Sequence, residues 1–433
     1  MKLSHETHEK YRVIFWHLRC KKVLQQPVAL GSMKFKKLNY TNITAFATLL
    51  LVVFSNCLIG QGDQDIGKFV GDFRARIETA DQQGRESSEA VTLRSRVGFE
   101  TADLNGFKFF IEGEDVTALD EDKYNPYPVA GKTVIADPDG TELNRAQVTY
   151  SGNGFTGIIG RQRIILDGPR FVGNVGWRQN EQTFDALTLK YADSENGFTG
   201  FYGTIDKVQR IFGDDAPAAA MREFESDSHL FNGSITLDNG AKVGAYAYLL
   251  DFSNSHPNST DTYGFSVSGT SRFDAGAEYT YYGEYAVQND AGEISPSYNA
   301  DYLHLVLGST FEGFTVKGGY EVLGSDNGVG FKTPLATLHA FNGWADAFLS
   351  TPGAGLEDLY ISLSTKVDQV ALTAVYHDFS ANKGGADFGH EIDLLAVLPV
   401  NKQLKLIAKA AFLDGSSGIP DNDKIWFEAD FTF

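Results

Sequence analysis

KIWFEADFTF, residues Lys424–Phe433, closes the chain and alternates without a break. Ile425, Phe427, Ala429, Phe431 and Phe433 fall on one side, and Trp426, Glu428, Asp430 and Thr432 on the other. Successive side chains of a strand point to opposite faces, so one face of this segment suits lipid and the other suits water. The pattern recurs upstream: Leu303, Leu305 and Leu307 lie opposite His304, and Leu404 and Leu406 lie opposite Lys405.

Working back from this end, eighteen period-2 segments can be traced between residues 66 and 433, with no helical stretch of any length. Each is about as long as the roughly 9–11 residues a tilted strand needs to cross a bilayer, or longer. The links carry more information than the segments. Every second one is short, as at Asn105-Gly106, Gly152-Asn153-Gly154, Asp238-Asn239-Gly240, Asp274-Ala275, Glu312-Gly313 and Asn401-Lys402. These are mostly hairpin-turn sequences. The intervening links are long, among them 121–141, 168–182, 214–226 and 327–355. Short and long links in alternation, with an even strand count, predict an all-β fold: a transmembrane antiparallel up-and-down β-barrel of about 18 strands in the outer membrane. Because lipid tolerates no open sheet edge, the last strand must pair with the first.

The chain has 433 residues, 37 basic against 56 acidic side chains, and a formal net charge of -19. From Met33, three lysines at 34, 36 and 37 precede an apolar run from about Ile43 to Val53. That is the layout of a secretory signal peptide, and the run is short for a membrane-spanning helix. Residues 1–32 read as an upstream extension, 33–60 as the signal peptide and 61–433 as the barrel. Both cysteines, Cys20 and Cys57, precede the cut, which excludes a disulfide framework and a cysteine-ligated metal. Removing 1–60 also takes nine basic and two acidic residues. The remainder is more acidic still, a poor partner for nucleic acid.

Parity assigns the charged residues. In 66–81, Phe73, Ala75 and Ile77 go outward, so Arg74 and Arg76 point inward; in 91–104, Arg94 and Arg96 do the same. In FTGIIGRQRIILDGPRFVGNVGWRQNEQTFD, Phe155–Asp185, the same rule gives Arg161 and Arg163 to the lumen. The chain then leaves the strand at Asp167-Gly168-Pro169 and carries Arg170, Trp177 and Arg178 in a loop. Arg145, Lys190, Lys405 and Lys409 join this set. The guanidinium fork suits carboxylates, and three recurring R-x-R pairs would make a cationic track for anions. The plainer alternative is a wet, salt-bridged wall, with Glu78, Glu100, Glu112, Asp185, Glu278 and Glu428 as partners. Asp137-Pro138-Asp139-Gly140 and Gly213-Asp214-Asp215 are candidate Ca²⁺ turns or simply solvated ones. The six histidines beyond residue 60 show no metal-ligand spacing, and Leu338–Leu349 reads as a short helix packed on the rim.

Gly160-Arg161-Gln162-Arg163, Asp167, Arg170-Phe171-Val172-Gly173, Gly176-Trp177-Arg178-Gln179-Asn180 and Thr183-Phe184-Asp185 resemble the alginate export family of outer-membrane porins. The Leu338–Leu349 loop with Thr351-Pro352 and Gly355-Leu356 is similar to that family as well. The resemblance implies a channel whose arginine-lined lumen guides the uronate polymer alginate, with Asp167 and Asp185 as acidic members of the lining. Secreting members are similar in using an extended periplasmic turn near the C-terminus as a plug; here that link, Pro399 to Lys402, is short, and uptake of anionic oligosaccharides becomes the alternative. The expected function is therefore a passive channel for anionic saccharide, without a cofactor, in contact with outer-membrane lipid. An unselective porin, a loop-mediated glycan receptor or adhesin, and a barrel-embedded hydrolase are the alternatives. The last would need a nucleophile with a positioned base, and no such constellation is visible in the sequence.

Overall fold

The computed structural model describes residues 66–272, 277–292 and 296–433. The expected extension 1–32, signal peptide 33–60 and the turn at 274–275 lie outside the described residues. The strands are β1 (Gly67–Gln82), β2 (Ser88–Thr101), β3 (Phe107–Ala118), β4 (Gly140–Gly152), β5 (Phe155–Gln162), β6 (Thr183–Asp193), β7 (Phe198–Gln209), β8 (Glu223–Thr236), β9 (Lys242–Leu250), β10 (Thr260–Arg272), β11 (Glu278–Asp290), β12 (Asn299–Phe311) and β13 (Phe314–Leu323). After a two-residue ribbon, β14 (Ser325–Asp326) with β15 (Val329–Gly330), follow β16 (Leu356–Val367), β17 (Val370–Ser380), β18 (Asp387–Pro399), β19 (Leu404–Gly415) and β20 (Asn422–Thr432).

Leaving aside the ribbon, each strand pairs antiparallel with the next, β13 with β16, and β20 returns to β1. The eighteen-stranded sheet is thus closed. At the seam Arg74 stands opposite Asp430 and Arg76 opposite Glu428, and Gly71 and Phe433 exchange backbone hydrogen bonds of 3.1 and 3.0 Å. Two of the short links are Asn-Gly turns with both residues at positive φ: Asn105 at 58° with Gly106 at 89°, and Asn153 at 51° with Gly154 at 81°. That backbone matches the right-handed twist of the flanking strands.

The outer surface is apolar where lipid would lie. Ile111, Ile159, Phe265, Leu305, Leu307 and Ile361 are all exposed, Leu307 at 72%. Towards the short-turn end, aromatic pairs line the outside of β1–β6, Phe69 with Phe99, Phe107 with Tyr150 and Phe155 with Tyr191, their centroids 4.6–5.1 Å apart. Such pairs belong at the membrane–water interface. Buried apolar side chains collect inside the barrel instead, where Phe171, Val172, Phe331, Leu335 and Phe348 from the long links meet Phe184, Tyr248, Tyr302 and Trp426 from the wall.

One segment departs from expectation in a way that shapes the site. The strand expected over 155–168 ends at Gln162, because the chain turns into the lumen there. The expected helix over Leu338–Leu349 is a single 3-10 turn, Leu338–Ala340, and its neighbours pack inside the barrel rather than on the rim.

Candidate functional site

The link after β5, residues 163–182, crosses the lumen. On one wall, Arg74 Nη1 donates to the carbonyls of Gly176 and Trp177, both at 3.0 Å, and Arg76 Nη2 donates to Trp177 O at 2.5 Å. On the far wall, Arg170 bonds Glu321 of β13 at 2.6 Å, and Phe171 packs against Tyr246, Tyr248 and Tyr302. The second long link, 331–355, lies alongside: Val172 bridges Leu335, Arg178 reaches Asp346 at 2.7 Å, and Ala345 N–H donates to Glu391 of β18 at 2.7 Å. Together they make an internal plug.

The arginines of the first two R-x-R pairs point inward as expected, but they face the plug rather than open water. Arg76, Arg94 and Arg96 are at most 3% exposed. Arg76 is bonded to Glu428 (2.9 Å) and Asp137 (3.1 Å), Arg94 to Asp72 (2.5 Å), and Arg96 to Glu114 and the Gln179 carbonyl. Arg74 and Arg94 stand directly opposite one another, a like-charge pair that is destabilising without acids beside it. Arg178 completes the set, with Glu78 at 3.1 Å. These guanidinium groups hold a buried ion network, the plainer of the two readings open to the sequence, and do not form an open cationic track.

The third pair divides. Arg161 stands opposite Asp185 and Ile159 opposite Leu187, with no register shift between β5 and β6, so Arg161 shares the outward face of exposed Ile159 and Leu187. There it forms a two-pronged pair with Asp185 at 2.8 and 3.0 Å. Gln162 takes the lumen side, donating to Ala186 O and accepting from the Thr188 hydroxyl. Arg163, already past the strand, turns in to Glu181 at 2.7 Å. The expectation that Arg161 faces the lumen is therefore corrected, and Asp185 goes outward with it. Asp167 does line the lumen, held by Asn232 and the Tyr248 hydroxyl. Arg145 reaches Glu112 at 2.8 and 2.9 Å, helped by a bulge between Glu112 and Gly113 that also brings Asn144 onto the same carboxylate. Lys190 shares the lumen face of Thr188 and is exposed.

Two parts of the plug escaped the sequence reading. Glu181 is buried between Arg96 and Arg163; burial pushes its carboxyl up, but the two guanidinium groups more than offset that and hold it at about 2. Trp177 stacks on His339 with centroids 4.6 Å apart and 6° between planes, and Trp426 meets both edge-on. His339 Nδ1 bonds Asp346 at 2.7 Å and Nε2 faces Lys409 Nζ at 2.6 Å, so the ring is neutral with its Nδ1 donating. Burial and the adjacent ammonium push this imidazole well below its ordinary value. His339 carries no spacing motif that could have singled it out, and Glu181 reads in sequence as one loop acid among many.

Beneath the plug a cavity of about 520 Å³ remains open. Asp167 and Arg170 form its roof, and its wall carries Lys242, Lys317, His304, Tyr282, Tyr360 and the small side chains of β8–β10. Glu284 is tied by the hydroxyls of Tyr246 and Tyr282, and Arg170 by Glu321. Lys242 and Lys317 are exposed to the lumen and make no ion pair among the described residues.

Residues 67–266 match the alginate export family. The match runs from β1 into β10 and takes in the R-x-R strands and the whole 163–182 link; the resemblance noted in the 338–349 loop falls beyond it. No curated sequence matches the chain significantly. Among solved structures, Pseudomonas aeruginosa OccK9 (OpdG) is similar over 86% of this chain and 99% of its own, with a TM-score of 0.67 and 14% identity. OpdK from the same organism, crystallised with vanillate, is similar over 84% and 98%, with a TM-score of 0.64 and 13% identity. OccD3 (OpdP) covers 87% and 94%, with a TM-score of 0.63 and 13% identity. At these identities the likeness is one of fold. With the alginate export match, it makes this protein a channel of the bacterial outer membrane rather than an enzyme.

Proposed function

We propose that the barrel passes anionic saccharides of the uronate type, and that the groups guiding them are Lys242 and Lys317 rather than the buried, ion-paired arginines. The observation carrying this reading is the cavity beneath the plug. It presents two ammonium groups without acidic partners beside tyrosine rings and hydroxyls. Unpaired lumen cations lower the barrier for anions, and aromatic rings with short hydroxyl side chains suit a sugar, which offers an apolar ring face and hydrogen-bonding edges.

Reversal potential across planar bilayers under a salt gradient tests this. The wild-type channel is expected to prefer anions, and Lys242→Glu with Lys317→Glu to reduce or invert that preference while weakening block by oligouronates roughly tenfold, as loss of about 1.4 kcal/mol would. Equal block in the two proteins, or equal permeation of neutral sugars and uronates in liposome swelling, would return the protein to the class of unselective porins.

A second reading, uptake of short oligomers, is favoured by one observation. Among the described residues every link at the short-turn end is brief, and β18 passes to β19 through 400–403 alone, while both plug segments descend from the opposite end. Among the described residues, no link at that end is as long as the extended turn that the resemblance gives to secreting members.

A further inference from the structure

Two acidic turns far apart in sequence, Pro138-Asp139-Gly140 and Gly213-Asp214-Asp215, come together in the fold. They border one small cavity of about 40 Å³ with Glu114, Glu142 and Asn180. That is room for a cation with one or two waters. Two of the groups lining it are buried acceptors without a donor: Glu114 Oε1 and Asn180 Oδ1 have no hydrogen-bond partner, and their residues are 2% and 5% exposed. The other Glu114 oxygen is taken by Arg96, and one Asp139 oxygen by the Ala118 N–H at 2.9 Å. Asp214 and Asp215 accept no hydrogen bond and form no ion pair among the described residues. No basic side chain lines the pocket itself; Arg96 touches it only through the other oxygen of Glu114.

We infer that this pocket binds a single Ca²⁺ ion, which ties the 119–139 and 210–222 links to the plug through Asn180. Every group offered is a hard oxygen, carboxylate or amide carbonyl, as Ca²⁺ prefers. Ca²⁺ is favoured over Mg²⁺ because the donors come from three separate links, which suits a flexible shell of six to eight oxygens better than a strict octahedron. Among the described residues no three acidic or histidine side chains already stand at ligand spacing, so the ion draws Asp214 and Asp215 in from solvent. Affinity is accordingly that of extracellular modules, on the order of 10⁻⁴–10⁻³ M. The coupling to the plug is direct: Asn180 lies between Gln179, whose N–H donates to Asp137 at 2.8 Å, and Glu181. The site is independent of what the pore carries.

The test is equilibrium dialysis of radioactive Ca²⁺ with the full barrel, purified in detergent free of lipopolysaccharide and stripped with chelator. Wild type is expected to bind one ion per chain, and Asp214→Asn with Asp215→Asn to bind it at least tenfold more weakly. Both side chains are exposed and unpartnered, so the variant should keep the heat-modifiable gel mobility of a folded barrel. Asp139→Asn provides a second variant on another link and should weaken binding in the same direction. No saturable binding up to about 10 mM, well above the range of such sites, or equal binding by wild type and both variants, would show that water alone fills the pocket and overturn the inference.

Discussion

Glu181 shows how one side chain can decide whether this lumen is closed. It joins Arg96 of β2 to Arg163 of the plug and also accepts from Asn144 and Asn174. Removing one member of a buried charge network leaves the others uncompensated, at a cost of roughly 3–5 kcal/mol. Glu181→Gln is therefore expected to loosen the 163–182 link and raise single-channel conductance without abolishing barrel assembly; unchanged conductance and unchanged noise would show that the link is held by its other contacts. The pH dependence has a definite sign. A carboxyl held at about 2 in the fold against an ordinary 4.5 contributes stability that is complete above about pH 4.5 and lost as pH falls towards 2. His339 acts in the same direction, since an imidazole kept neutral by burial and by Lys409 must take up a proton as the medium acidifies. Conductance recorded from pH 7 downward should accordingly begin to rise as pH falls below about 6.5, the ordinary value for an imidazole, and steepen below about pH 4.5, and the Glu181→Gln channel should lack the steeper part.

The plug is the element that separates this barrel from an open pipe, and it follows that excising it exposes what it covers. Replacing Phe171–Asn180 by a short Gly-Ser link removes Trp177 and Arg178 and the carbonyls to which Arg74 and Arg76 donate. A several-fold increase in conductance is expected, together with stronger anion preference, because Arg74, Arg76 and Arg94 then face water. An unaltered conductance would mean that 331–355 alone closes the lumen. The strands themselves were legible in the sequence because a two-residue period is a local signal, readable from a few neighbours, and the turn residues punctuate it. Arg161 was misassigned for a related reason: the inward set was anchored on the R-x-R spacing, whereas exposed Ile159 fixes the opposite parity and the second arginine has already left the strand. The plug was not legible at all. Its contacts join residues 102 apart for Arg74 and Gly176 and 168 apart for Arg178 and Asp346, and no local period records them.

At the scale of the whole barrel, stability rests on closure, since an unpaired edge strand has no place in lipid. The seam is tight where it ends. A side chain placed on Gly71 would sit 2.2 Å from the Phe433 ring, and that ring stacks on Phe73 at 6.2 Å with 18° between planes. Gly71→Val must displace the terminal aromatic, losing a ring contact worth about 0.5–1.5 kcal/mol and straining the paired backbone groups of residues 71 and 433. The lipid-facing surface elsewhere is untouched, so the effect belongs to closure alone. A lower temperature for loss of the heat-modifiable band, at a fixed heating rate because such unfolding is irreversible, is the expected result. Gly244→Val offers the comparison: it changes a glycine of the cavity wall on β9, away from the seam, and should shift that temperature much less. If the two substitutions lower it equally, the β1–β20 seam is no weaker than any other pair of strands, and the terminal phenylalanine is not what locks the cylinder.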